Sequence, residues 1–127
     1  MAKVTVERVR CSRDARGIVF EPIGPELLPL QRNVHVVMTE PGGIRGNHYH
    51  QHGTEITLVA GPSLVRLREE REVRDVHVPE GETHRFTIPP GVAHAFQNTG
   101  TKPMLLVAFS TTVFDAAHPD VLRDELI

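Results

Sequence analysis

Residues 45–55 read RGNHYHQHGTE and place three candidate metal ligands close together in the chain. His48 and His50 are two positions apart, and in a β-strand residues i and i+2 project from the same face. The short loop that follows turns the chain, so that Glu55 can aim its carboxylate at the point where the two imidazoles converge. The stretch therefore predicts a strand with two histidine ligands and a loop that returns a carboxylate to them.

A fourth candidate ligand, His94, follows the stiff turn Pro89-Pro90-Gly91. This turn predicts a strand on the opposing wall of a barrel. Imidazole and carboxylate ligands together suit zinc, iron, manganese, nickel or copper, and a buried carboxylate needs a cation or a hydrogen-bond donor. We predict one divalent metal ion on His48, His50, Glu55 and His94, and the ligand types alone do not separate these metals.

Short apolar runs recur along the chain between turns, which is the pattern of an all-β sandwich or barrel. The 10 prolines and 10 glycines supply the turns. The runs are KVTVERV, GIVFEPI, NVHVVMT, EITLVA, SLVRLRE, HRFTIP, HAFQN and MLLVAFS. A short C-terminal helix is expected only over VLRDELI, because Pro119 can occupy its first turn.

Length and charge limit the remaining possibilities. A chain of 127 residues buries one sizeable core, so we predict a single domain over residues 1–127. The net charge of -2 gives no electrostatic footprint for nucleic acid. No stretch approaches the roughly 18 apolar residues of a membrane helix, and the N-terminus has no signal-peptide core, so we expect a cytoplasmic protein without a membrane partner. Cys11 is the only cysteine, which excludes an internal disulfide.

Two spaced motifs resemble those of the cupin superfamily. The first consists of Gly42, His48-x-His50 and Glu55, and the second of Pro89-x-Gly91, His94 and Asn98. The resemblance implies a double-stranded β-helix, or jelly-roll barrel, with the four predicted ligands inside it. Gly61 falls one residue early and Thr83 replaces a glycine, so the strand registers around residues 56–62 and 80–86 are open.

A closer resemblance is to the C-terminal cupin domain of bifunctional capsular-sugar epimerase/reductases that make N-acetylfucosamine precursors. It is carried by RGNHYHQHGTE, SLVRLRE, IPPGVAHAFQNTG and VFDAAHPD, and further upstream by Asp14-x-Arg16-Gly17 and NVHVVMTEPG. It implies an epimerase or isomerase that acts on a keto-deoxysugar nucleotide in polysaccharide or deoxysugar biosynthesis. The metal it implies is zinc, with iron, manganese or nickel as alternatives. The chain contains no Gly-rich dinucleotide fingerprint, so no reductase step is expected of it.

Three side chains are candidates for catalysis beside the metal. His84 shares a strand face with Phe86, and a histidine titrates in the range useful for acid–base chemistry. Arg66 and Arg45 are candidates for binding an anionic substrate group. Tyr49 alternates with the ligand histidines and is expected to point outward. No role is assigned to His35, His52, His77 and His118.

Two other function classes are open at this point: another metal-dependent cupin enzyme, such as a dioxygenase or polyketide cyclase, and a non-catalytic metabolite-binding barrel. The runs EITLVA and MLLVAFS are apolar on both alternating faces. One face fills the barrel, and the other is expected to be covered in a homodimer. The N-terminal segment or the C-terminal tail would cover that face in a monomer.

Overall fold

The structure is a computed structural model that describes residues 3–127. This part of the chain contains twelve β-strands and one short 3-10 turn, so the predicted all-β class is confirmed. The predicted domain also includes residues 1 and 2, which lie outside the described residues. The elements are β1 (Thr5–Arg8), β2 (Ser12–Asp14), β3 (Gly17–Val19), the 3-10 turn (Leu28–Leu30), β4 (Asn33–Thr39), β5 (Ile44–His50), β6 (Glu55–Ala60), β7 (Ser63–Glu69), β8 (Glu72–Val78), β9 (Thr83–Ile88), β10 (Ala93–Asn98), β11 (Met104–Ser110) and β12 (Val121–Arg123).

Two five-stranded antiparallel sheets face each other as a jelly-roll barrel, which confirms the predicted cupin architecture. The first sheet has the order β1-β9-β6-β11-β4 and the second the order β12-β5-β10-β7-β8, while β2 and β3 form a separate hairpin. Strand alternation fills the interior: on β7, Val65 and Leu67 are fully buried between the sheets, whereas Arg66 points outward. The core is therefore apolar over most of its length.

The two uncertain registers are regular in the structure. β6 pairs with β9 without a shift, from Glu55 opposite Ile88 to Ala60 opposite Thr83. The turn before β9 is made at Gly81, which has a φ of +84° and occupies the left-handed region that glycine tolerates. A glycine at position 83 is therefore not needed for this turn.

The outer face of β6 is covered by the N-terminal segment of the same chain. Ile56, Leu58 and Phe109 form a second apolar cluster with Val9 and Ile23, and partly buried Phe20, Leu27 and Val107 pack against it. The outer face of EITLVA was expected to be covered either by a second copy or by a segment of the same chain. In the structure a segment of the same chain covers it. The outer face of β4 at the sheet edge is still open, because Val34, Val36 and Met38 are 53%, 64% and 54% exposed.

The predicted C-terminal helix is wrong. Val121–Arg123 form β12, which pairs antiparallel with His48–His50 of β5, and no regular element follows it. This pairing satisfies backbone groups on the free edge of β5, which a local helix would leave exposed. Between residues 3 and 127 the structure has no helix long and apolar enough to cross a membrane.

Candidate metal centre

The four predicted ligands lie together between the two sheets, at one end of the barrel. His94 on β10 stands directly opposite His48 on β5, and Glu55 begins β6 in the facing sheet. One ligand atom from each of these residues and His50 can be chosen so that all four lie within 4.8 Å of one another. The fold therefore brings the residues of the two motifs together in space.

A β-bulge aims the two histidines of β5 into the barrel. The pairing of β5 with β10 shifts between His48 and Gly46, and Gly46 and Asn47 have φ values of +85° and +57°. A Cβ atom at Gly46 would approach the carbonyl oxygen of His94 to 2.7 Å, so a larger residue would push the two strands apart. The glycine therefore permits the close strand approach at which His48 faces His94.

The side chains within the cluster are in close contact. Nε2 of His50 donates to Oε1 of Glu55 over 3.0 Å, and Oγ1 of Thr57 donates to Oε2 of Glu55 over 2.6 Å. The ring centroids of His48 and His94 are 4.8 Å apart. His94 is fully buried and Glu55 is 5% exposed. The site thus brings four possible metal ligands together, and two of them, Glu55 and His94, are shielded from water.

The tautomer of His94 is the one that a metal ligand requires. Its Nδ1 donates a hydrogen bond to the carbonyl oxygen of Val92 over 3.0 Å. Since a carbonyl only accepts, Nδ1 carries the hydrogen and Nε2 presents a lone pair to the cluster. This Nε2 atom is buried and has no hydrogen-bond partner among the residues that the structure describes. A buried nitrogen with a free lone pair of this kind is suited to bind a cation.

The protonation states of His48, His94 and Glu55 also favour binding of a cation. Burial lowers the pKa of His48 to about 4, with a further contribution from His94, and burial also lowers the pKa of His94. Burial raises the pKa of Glu55, but the hydrogen bonds from His50 and Thr57 and the neighbouring histidines outweigh it and bring that pKa to about 2. At neutral pH the site therefore offers an ionised carboxylate and two neutral imidazoles, which suits a borderline transition metal better than magnesium or calcium.

The structure does not place His84 beside the cluster. It lies on the interior face of β9, as alternation predicted, but it is paired with Val59, four positions along β6 from Glu55. That offset is roughly 13 Å along the strand. Its Nε2 is hydrogen-bonded to Glu82 over 3.0 Å at the other end of the barrel. The expectation that His84 lines the metal pocket is thus incorrect for this fold.

The two predicted anion-binding arginines are engaged elsewhere as well. Arg66 lies on the outer face of its sheet, where it makes two hydrogen bonds to Asp75, of 2.8 and 3.0 Å. Arg45 precedes the bulge of β5 and donates to Thr39 Oγ1 and Met38 O at the far end of the barrel. Both side chains have structural partners, and neither is brought to the cluster.

One residue near the cluster was missed by the sequence analysis. His35 lies on β4 opposite Ala108 of the buried core, and it is close enough to lower the pKa of His48 through its charge. It is exposed, so this side of the site is accessible to solvent. The alternation of NVHVVMT could have identified it, because His35 shares a strand face with the partly buried Val37.

Comparison with known proteins agrees with this architecture. The family model described as the polysaccharide biosynthesis C-terminal domain matches residues 12–122. Among curated proteins, the chain is 31% identical over 130 residues to the spore coat polysaccharide biosynthesis protein SpsL of Bacillus subtilis, covering 94% of this chain and 86% of that protein.

Two solved structures show similar folds. The capsular polysaccharide assembling protein CapF from Staphylococcus aureus is 27% identical with a TM-score of 0.69, over 93% of this chain and 33% of CapF. The chain thus spans about one third of CapF. The QdtA 3,4-ketoisomerase from Thermoanaerobacterium thermosaccharolyticum, solved with TDP, has a TM-score of 0.75 at 19% identity, over 98% of this chain and 89% of QdtA. The likeness to QdtA concerns the fold alone.

Proposed function

Because this chain belongs to the family of polysaccharide biosynthesis C-terminal domains, we propose that it is a metal-dependent epimerase or isomerase of a keto-deoxysugar nucleotide. The observation that carries the proposal is the cluster of His48, His50, Glu55 and His94, with the unpartnered Nε2 of His94 inside it. The substrate class is supported by the neighbours, one of which is described as a 3,4-ketoisomerase in complex with TDP. The small-molecule partner is accordingly a nucleotide sugar.

The donor set fits zinc, iron, manganese or nickel, and we take zinc as the first candidate. When bound, such a cation would polarise a substrate carbonyl and stabilise the negative charge that forms when the adjacent carbon loses its proton. The protein's own contribution is to hold the ligand set in place. Thr57 fixes one oxygen of Glu55, and Val92 fixes the ring of His94. These contacts hold the carboxylate of Glu55 and Nε2 of His94 in place within the cluster.

An acid–base residue is also needed, and we assign this role to His35 in place of His84. His35 is the neighbouring histidine on the solvent-accessible side of the cluster, where a substrate can approach. A histidine exchanges protons near neutral pH and can accept one from a carbon beside a ketone. Arg66 and Arg45 are left out of the proposed catalytic set because their guanidinium groups already bind Asp75, Thr39 and Met38.

A metal-free reaction is the second candidate, and one contact favours it. His50 donates directly to Glu55 over 3.0 Å, and such a pair can act as an acid–base dyad without a cation. In that case the same four residues would form a catalytic site, and chelators would leave the activity unchanged. The two candidate reactions therefore differ in whether the activity persists in the presence of a chelator.

The experiment is deuterium uptake from heavy water into 4-keto-6-deoxysugar nucleotides. We expect incorporation beside the ketone, most readily at C3, without consumption of oxygen or nicotinamide cofactor. A chelator and His50→Ala should each abolish it, while His77→Ala, which removes an exposed histidine on the outer strand β8, should not. Uptake that persists in chelator supports the metal-free dyad. Oxygen-dependent turnover of an aromatic substrate by the iron form would indicate a dioxygenase, and ligand binding without any turnover would indicate a binding barrel.

A further inference from the structure

We propose that the C-terminal segment Asp120–Ile127 is part of the metal site, and that Asp120 is a positioning residue for the loop between two of the ligands. This inference rests on the proposed function in one respect, the metal assigned to the cluster. It concerns a segment for which the sequence indicated only a helix. Its basis is a set of contacts between that segment and the ligand-bearing part of β5.

Asp120 holds the backbone of the loop that joins His50 to Glu55. Its Oδ1 accepts the N–H of His52 over 2.9 Å, and its Oδ2 accepts the N–H of Gly53 over 2.9 Å. Its own carbonyl oxygen accepts the N–H of Gln51, also over 2.9 Å. Three consecutive amides are thus bound by one residue that lies 67 to 69 positions further along the chain. The direction in which the loop returns Glu55 to the cluster depends on these bonds.

The same carboxylate faces His50. Oδ2 of Asp120 lies 3.9 Å from Nδ1 of His50, and the Asp120 side chain is only 16% exposed. This distance is too long for a hydrogen bond, but a carboxylate on this side favours a hydrogen on Nδ1. To act as a ligand, Nε2 must give up the hydrogen that it donates to Glu55, and the ring then needs its hydrogen on Nδ1. Asp120 therefore supports both the backbone and the ligand tautomer that the cluster needs.

Close packing at Gly53 shows how tightly the loop is enclosed. A Cβ atom at Gly53 would approach Thr112 Oγ1 to 2.9 Å and Asp120 Oδ2 to 3.1 Å. A side chain there would have to displace the carboxylate from the two amides. The loop and the C-terminal segment are therefore built against each other.

The rest of the segment secures the strand itself. β12 pairs with His48–His50, and the side-chain amide of Asn47, on the β5 bulge, binds the backbone of Leu126 and Ile127. On the outer face, Arg66 donates to the carbonyl of Leu126, and Arg68 pairs with Asp124. Without this segment, β5 would be a free sheet edge that carries two ligands, and edge strands are mobile and prone to mispairing.

The test compares Asp120→Ala and Asp120→Asn with a matched control, Asp115→Ala. The control also removes a carboxylate that accepts a backbone N–H, that of Ala117 over 3.0 Å, but Asp115 lies outside the segment Asp120–Ile127 and does not bind the ligand loop. Zinc affinity is measured by competition with a chelator, and the ligand field by the visible spectrum of the cobalt-substituted protein. Amide hydrogen exchange at residues 51–53 is followed in the metal-free protein.

We expect Asp120→Ala to weaken zinc binding on the order of 10–100-fold and to alter the cobalt spectrum. The amides of His52 and Gly53 should exchange faster, while the Asp115→Ala protein keeps wild-type affinity. Asp120→Asn retains one acceptor oxygen and should give an intermediate loss, which keeps the test informative if the alanine variant does not fold. Wild-type affinity and spectrum in both Asp120 variants would overturn this inference while leaving the metal site standing. Failure of the wild-type protein to bind zinc, iron, manganese or nickel would overturn the proposed metal function and this inference together.

Discussion

Nε2 of His94 lies 3.5 Å from Oε2 of Glu55, and both side chains are almost completely buried. The imidazole presents a lone pair there, because its Nδ1 hydrogen is bound to Val92, and the carboxylate is ionised because its pKa is about 2. A lone pair and a negative charge at this distance repel each other in a medium of low dielectric constant. A cation between them would turn the repulsion into two favourable contacts.

The first prediction follows from this relationship: removal of metal should destabilise the protein. A metal ion at about 100 times its dissociation constant stabilises the folded state by roughly 2.7 kcal/mol, which corresponds to several degrees of melting temperature in a chain of this size. Differential scanning calorimetry with and without chelator measures the shift. In His94→Ala, the melting temperature should no longer respond to zinc, whatever its absolute value. A wild-type protein whose melting temperature is unchanged by every candidate metal would contradict the prediction.

A second prediction concerns Thr57, which is fully buried beside Glu55. Thr57→Val preserves the shape of the side chain but removes the hydroxyl that donates to Oε2 over 2.6 Å. We expect the metal-free protein to lose on the order of 1–2 kcal/mol of stability and zinc affinity to fall about 10-fold or more, because the carboxylate is no longer oriented. Chemical denaturation and chelator competition measure the two effects. The control is Thr87→Val, because Thr87 lies on the outer face of β9, whereas Thr57 lies on the interior face of β6. Equal zinc affinities for the two variants would argue against an orienting role for Thr57.

The ligand set could be predicted from the sequence because it depends mainly on local rules. Alternation brings His48 and His50 to one strand face, and the turns before Glu55 and His94 start new strands. The bulge at Gly46 and Asn47 is the local feature that was not predicted. It shifts the pairing of β5 with β10 but leaves the ligand side chains in the interior. Most strand segments were likewise identifiable as short apolar runs between turns. β8 was not, because the turn before it, Glu70-Arg71, contains no glycine, proline or asparagine.

The features that could not be predicted from the sequence depend on the pairing of strands that are distant in the chain. Alternation correctly gave the face of His84 but not its distance from Glu55, which depends on the pairing of β9 with β6. The C-terminal residues have a pattern compatible with a helix, and they form a strand because the edge of β5 offers unpaired backbone groups. Asp120 could not be connected with the ligand loop without that pairing.

The third prediction separates His35 from His84 in catalysis. His35→Ala should slow deuterium uptake into the keto-sugar nucleotide by roughly 100-fold or more, since it removes the proposed acid–base group while the metal ligands stay in place. His84→Ala should leave uptake within a factor of about three, because this residue lies roughly 13 Å from Glu55 along the sheet. Metal content should be the same in both variants and in the wild type. The reverse order of effects would return the catalytic role to His84.

The last prediction concerns assembly, and it places the expected homodimer at strand β4. This strand ends its sheet, and its outward side chains Val34, Val36 and Met38 are exposed and uncharged. Such an edge normally carries charges or is covered, so we expect two copies to pair here about a two-fold axis. Light scattering at micromolar concentration should give twice the chain mass of 14.1 kDa, and Val36→Lys should give the monomer. Val73→Lys is the matched control, because Val73 is 54% exposed on β8, the edge strand of the other sheet, and should not affect assembly. A wild-type mass of 14.1 kDa, or dissociation caused by Val73→Lys instead, would show that β4 is not the dimer contact.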